Sequence, residues 1–262
     1  MERTRQPSPR AAEAAQKLAD EFGLDHQDKI DPEQIAHALE ISIEYKDLPG
    51  EQGRLVRLGG TRIVVRRGLR PEQTRFVIGH ELGHYRLHPD LDQLKQCTAG
   101  DMKDYRLDGI ESEANRFSAE LIMPERLFKP LCRMGQPSLD DIESLARAFR
   151  ASRMAAGIQF VRFCSAPCAL VFSKNGVVQW ARRSDHFHNF IESGRQLHSG
   201  EDSTYAGDLF AGKTIVDRPM PVDAKNWTGF RSAAGTDVYE HSRKWESADG
   251  MCVLSLLRDR GS

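Results

Sequence analysis

The sequence predicts an α+β protein, and three observations carry that expectation. Apolar residues recur at i, i+3, i+4 spacing over several stretches of the first 163 residues, the period of an amphipathic helix. Short alternating stretches between residues 41 and 65 read as a small sheet. From Ala169 onward the texture turns to strands. Helices, a small sheet early in the chain and a later strand-rich part together make the α+β class.

Taken in order, residues 1–9 read as disordered, and the alanine-rich stretch 11–22 reads as a helix. Asp31 and Pro32 start a second helix, as N-cap and first-turn proline, with Ile35, Ala36 and Leu39 on one face. Residues 41–45, 53–58 and 61–65 are strands, and Gly59-Gly60 is a hairpin signal between the last two. Pro71 opens a helix that runs to about His88, where Pro89 stops it. Its two glycines, Gly79 and Gly83, each cost about 1 kcal/mol relative to alanine. They imply something packed closely on the helix, either the neighbouring sheet or a metal site. Residues 91–109 are a polar connection, and 110–122 are helical again. Pro124 starts a further helix, and 138–149 and 151–160 form a helical pair with a tight link. Strands at 169–173 and 177–181 are joined by the turn signal Asn175-Gly176, and two more follow near 236–242 and 251–256.

The chain has 262 residues, 39% hydrophobic and 29% charged, with a formal net charge of −1. That charge gives no global field to draw nucleic acid or anionic lipid. The expectation is a cytoplasmic protein with no membrane association, since no apolar run approaches a span and the polar N-terminal segment lacks a signal-peptide core. The five cysteines, Cys97, Cys132, Cys164, Cys168 and Cys252, are odd in number and scattered. They fit reduced thiols better than a disulfide framework. Cys164 and Cys168 lack a second metal-ligand pair nearby in sequence, so they read as thiols rather than as a zinc site.

His80-Glu81-Leu82-Gly83-His84 is the most informative stretch. On a helix, His80 and His84 share one face a turn apart and can bind one Zn²⁺ from the same side. Glu81 is turned away by about 100° and can act as general base on a metal-activated water. The pentapeptide alone is common by chance, so a third ligand is needed. Glu111 and Glu113 are the local candidates. Glu111 lies at the edge of the apolar face formed by Ala114, Phe117, Ser118, Leu121 and Ile122, whereas Glu113 lies with Arg116 and Glu120 on a charged face. Facing favours Glu111 as the ligand and sends Glu113 to solvent, with Glu113 kept as the alternative. Asn115, one turn after Glu111, is placed to hydrogen-bond a ligating histidine.

The stretch from Arg75 to His84, followed by Glu111-Ser112-Glu113-Ala114-Asn115 and the run to Met123-Pro124, resembles the ImmA/IrrE metallopeptidases. The resemblance covers roughly residues 10–163. It implies a zincin-like, mostly helical peptidase domain of the gluzincin type, found in bacteria and phages, with one Zn²⁺ per chain. His80, His84 and Glu111 carry over as metal ligands and Glu81 as the base. The implied substrate is a helix-turn-helix transcriptional repressor whose cleavage derepresses a mobile element or a stress response. Domains are expected at 1–135 (peptidase), 136–163 (a helix-turn-helix-like segment, with DNA binding a secondary possibility) and 164–262 (a small α/β domain, sensory or regulatory). Tyr85, Tyr105 and His88 are candidate oxyanion donors, and sequence alone does not choose among them. The competing readings are a zinc-bearing regulator that engages a transcription factor or DNA without cutting it, and a metal-free interaction protein.

Overall fold

The computed structural model describes residues 9–90, 97–98, 109–132, 135–228 and 237–260. Mixed helices and two sheets make it α+β. It divides into two compact units: residues 1–128 with Ala146–Ser152, and Lys129–Leu145 with 153–262. The division passes through the helical segment expected at 136–163.

The first unit begins with α1 (Pro9–Glu21) and α2 (Pro32–Ala38). The Asp31 carboxylate accepts from the Glu33 N–H, the cap expected from sequence. A four-stranded sheet follows, β1 (Ser42–Lys46), β2 (Glu51–Val56), β3 (Arg62–Arg66) and β4 (Cys97–Thr98), in the order β1-β3-β2-β4. β2 and β3 form the antiparallel hairpin announced by Gly59-Gly60. β1 does not continue that meander; it pairs with β3 in parallel. β4, from a stretch read as a polar connection, pairs with β2 at Glu51 and Gly53. The central position of β3 explains its unbroken apolar run. Ile63 and Val65 join the main core, while Val64 packs with Leu48 and Val56 on the other side.

Two long helices complete the unit, α3 (Pro71–Leu87) and α4 (Ile110–Ile122). Their packing explains the two glycines. A Cβ on Gly79 would lie 2.6 Å from Ser118 Oγ. One on Gly83 would lie 3.1 Å from both Ala114 Cα and Phe117 Cβ. The close neighbour is therefore α4, and neither the sheet nor a metal. Ser118 Oγ also donates to the Phe76 carbonyl at 2.8 Å, a bond across the two helices. The end of α3 is held from the residue that follows β2: the Arg57 guanidinium donates to the carbonyls of His84, His88 and Pro89. The chain leaves this region through the short helix α5 (Glu125–Phe128).

The second unit contains most of α6 (Leu139–Ala148) and all of α7 (Arg153–Phe163). Its five-stranded sheet comprises β5 (Cys168–Lys174), β6 (Val177–Arg183), β7 (Met220–Asp223), β8 (Asp237–Ser247) and β9 (Gly250–Asp259), in the order β6-β5-β9-β8-β7. Every pairing is antiparallel. This corrects the expected α/β character: hairpins such as Asn175-Gly176 return the chain directly, so no parallel crossover arises. Two short helices, α8 (Tyr205–Phe210) and α9 (Lys225–Thr228), and strand β7 have no counterpart in the sequence reading. Their anchor is Glu240, fully buried on β8. It accepts from Trp227 Nε1, from the Tyr205 and Ala206 N–H groups and from Ser242 Oγ. His186, His188 and His198 are exposed, and His241 is a packing residue between the Leu139 N–H and Asp217.

Replacing Gly83 by alanine adds helix propensity but drives a methyl into backbone and ring atoms of α4. We expect Gly83→Ala to lower stability by about 1–3 kcal/mol, read as a reduced urea midpoint at unchanged slope.

Candidate metal centre

α3 places His80, His84 and His88 at successive four-residue steps, on one face. The close approach of α4 brings Glu111 and Asn115 against that face. His80 Nε2 lies 3.0 Å from His84 Nε2. Glu111 Oε2 lies 3.2 Å from His80 Nε2 and 3.4 Å from His84 Nε2. Among the described residues this is the one trio of such side chains whose ligand atoms all lie within 4.8 Å of one another. Around a tetrahedral ion with bonds of about 2.0–2.1 Å, neighbouring ligand atoms stand about 3.3–3.4 Å apart. The three observed edges fit that figure, and two imidazoles with a carboxylate form a donor set suited to a divalent transition metal.

Each histidine is also held from behind. His80 Nδ1 lies 3.0 Å from Asn115 Oδ1, which as an acceptor assigns the proton to Nδ1 and leaves Nε2 as a lone pair. His84 Nδ1 lies 3.1 Å from His88 Nδ1, and His88 Nε2 lies 3.0 Å from Glu113 Oε2. One consistent tautomer chain runs through these contacts: His84 Nδ1–H donates to His88, and His88 Nε2–H donates to Glu113. The opposed Nε2 atoms of His80 and His84 then both point lone pairs into the trio.

Glu81 is fully buried on α3, next to β2. A side chain on Gly53 would start 3.1 Å from Glu81 Oε1 and 2.4 Å from Val77 Cγ1, so only glycine at this point of β2 leaves room for the pair. No sequence signal had singled out Gly53 or Arg57, because each acts on a residue far away in the chain.

The remaining candidates sort by position. Asn115 stands where the sequence suggested. Glu113 is half-buried and not turned fully to solvent. It closes the His88 contact, and its neighbour Glu120 is buried in an ion pair with Arg116 at 3.1 Å. Glu113 thus meets the histidine that ends α3 and Glu120 is tied to its own helix by Arg116, which facing alone could not reveal. His88, considered as an oxyanion donor, lies behind His84. Tyr85 packs against the main core. Tyr105 falls outside the described residues.

Electrostatics favour the metal-ready protonation state. Burial depresses His84 to about 4, with the facing Glu111 carboxylate opposing. Burial pushes the Glu111 carboxyl upward, but the interaction with the His80 and His84 imidazoles outweighs it and holds the group well below the usual carboxylate range. Both groups lie lower folded than unfolded, so their contribution to stability is present at neutral pH. For His84 it is lost as pH falls from about 6.5 through about 4. In chelator-treated protein the His84 imidazole should remain neutral at pH 5.5 by NMR titration; a midpoint near 6.5 would contradict this environment.

The sequence model of the IrrE N-terminal-like domain, a peptidase domain, matches residues 36–160. The "Uncharacterized immunity region protein 2" of Bacillus phage phi105 is 37% identical over 65 residues, which is 24% of this chain and 38% of the phage protein. A solved "Mycobacterium tuberculosis transcriptional regulator" superposes with a TM-score of 0.62 at 16% identity, covering 97% of this chain and 76% of that one, a likeness of fold. The chain therefore carries an IrrE N-terminal-like domain over residues 36–160, consistent with the ImmA/IrrE resemblance of its sequence.

Proposed function

We propose that this protein is a zinc-dependent endopeptidase that hydrolyses a peptide bond in a helix-turn-helix transcriptional repressor. The observation that supports hydrolysis is the convergence of His80 Nε2, His84 Nε2 and Glu111 Oε2 beside the buried Glu81. One Zn²⁺ held by those three atoms would lower the pKa of water towards 7 and polarise the scissile carbonyl. Glu81 takes the proton of the attacking water and returns it to the leaving amine. Asn115 keeps His80 as the Nδ1–H tautomer, and the His88–Glu113 pair does the same for His84. A zincin-like domain is the reading that joins this helix, the adjoining sheet and the glutamate on the following helix.

A regulatory substrate is supported by the relatives' names, one from a phage immunity region and one a transcriptional regulator. No helix among the described residues is long and apolar enough to cross a membrane.

Purified protein should carry about one equivalent of zinc, and Glu111→Ala should hold less than about half an equivalent. Full loading of that variant removes Glu111 from the ligand set. Glu81→Gln should keep its metal while hydrolysis falls by about 10²–10⁴-fold. Profiling of new protein N-termini, in cells expressing the unmodified chain against Glu81→Gln, should show one cut in a helix-turn-helix repressor in the former alone. If the zinc-loaded protein binds such a repressor and leaves it intact, a non-cleaving zinc-bearing regulator replaces the peptidase.

A further inference from the structure

Glu113 stands two residues after Glu111 on α4, and its carboxylate ends a row of contacts that reaches the metal trio from behind. The row has three members. His84 Nδ1 lies 3.1 Å from His88 Nδ1, and His88 Nε2 lies 3.0 Å from Glu113 Oε2. The backbone holds the middle member in place. The His88 N–H donates to the His84 carbonyl at 3.0 Å, and the Arg57 guanidinium donates to the His88 carbonyl at 3.1 Å. Both imidazoles are buried, whereas 22% of the Glu113 side chain is exposed. Solvent therefore reaches the carboxylate, which moderates the desolvation cost of placing a charge there.

The member with the fewest choices sets the direction of such a row. A neutral imidazole has one N–H and one lone pair, so it can pass a hydrogen bond either way, but a carboxylate only accepts. Glu113 therefore requires the hydrogen of His88 on Nε2. The lone pair left on His88 Nδ1 requires the hydrogen of His84 on Nδ1. His84 Nε2, which meets His80 Nε2 and Glu111 Oε2, then keeps its lone pair. The reverse order would set a His88 lone pair against the carboxylate and a hydrogen on the ligating nitrogen of His84. Glu111 pulls the other way, because its Oε2 favours a hydrogen on His84 Nε2, but at 3.4 Å that contact is the longer one. Asn115 is a weaker selector for His80, since an amide carries both an acceptor and a donor.

We propose that Glu113 is a positioning residue that selects the tautomer of His84 through His88, and by that route sets the affinity of the site for its metal. The inference rests on reading His80, His84 and Glu111 as the ligand trio, and it adds a residue that acts on the trio at two removes. Glu113 works by what a carboxylate cannot do, which is donate. Glu113→Gln keeps the size and one acceptor but adds an NH₂ donor, so the row can run in either direction. Part of the population then carries the hydrogen on His84 Nε2, where it blocks ligation.

The full chain, ¹⁵N-labelled at histidine and treated with chelator, is read at neutral pH by long-range ¹H–¹⁵N correlation, which reports which ring nitrogen carries the hydrogen. We expect the His84 hydrogen on Nδ1 in the unmodified protein and a mixture of both tautomers in Glu113→Gln. Competition for zinc against a chelating dye should give Glu113→Gln a metal dissociation constant about 10–100-fold higher. In a His88→Ala background the same substitution should change that constant by less than about 2-fold, because the row is already cut. An equal loss with and without His88 means that Glu113 acts by its charge alone, and overturns the proposal. A hydrogen on His84 Nε2 in the unmodified protein overturns it as well, whether or not either variant folds. None of these measurements needs hydrolysis, so a protein that binds zinc and cuts nothing would end the peptidase reading and leave the role of Glu113 standing.

Discussion

The close approach of α3 and α4 is the constraint on which the rest of the candidate site depends. Without side chains on Gly79 and Gly83, Ala114, Phe117 and Ser118 sit directly against the motif helix. That spacing puts Glu111 and Asn115 within hydrogen-bond distance of His80. A larger residue at either glycine would separate the helices, and the third ligand atom would leave the trio with them. The helix-propensity cost of two glycines, about 1 kcal/mol each, is offset by the packing it permits. On the same helix Glu113 meets His88, so one member of the charged stripe of α4 becomes part of the site's support.

The site is held in layers outward from the three ligand atoms. Asn115 orients one imidazole, and His88 with Glu113 orients the other. Arg57, which follows β2, holds the carbonyl end of α3, and Gly53 of β2 leaves the space that Glu81 and Val77 fill. Helix, helix and the β2 strand therefore each contribute one side of the arrangement. A metal adds attraction between groups that already face each other with lone pairs inward.

Much of this was legible from local pattern. The H-E-x-x-H spacing, the bounds of α4 from Ile110 to Ile122, the Asp31 cap and both glycine-containing hairpins follow from residues near one another in the chain. Facing on α4 brought Glu111 and Asn115 to the histidines. The same reasoning misplaced Glu113, because amphipathicity ranks faces by polarity and does not reveal a partner histidine one turn beyond the motif. In the second unit, α8, β7 and α9 escaped notice. They are four to six residues long and are stabilised by Glu240 and Trp227 across the fold, with little periodicity of their own.

By itself the sequence determined which side chains could act: two histidines and a base on one helix, a glutamate and an asparagine one turn apart on another, and the family that this pattern resembles. Those assignments rest on helical period and spacing, which are properties of short segments. Only the tertiary structure decided what the two glycines pack against, that β1 joins β3 in parallel, and that His88 and Glu113 support His84. Each of these depends on contacts between segments whose meeting is set by burial of the whole apolar surface, and no local rule encodes that.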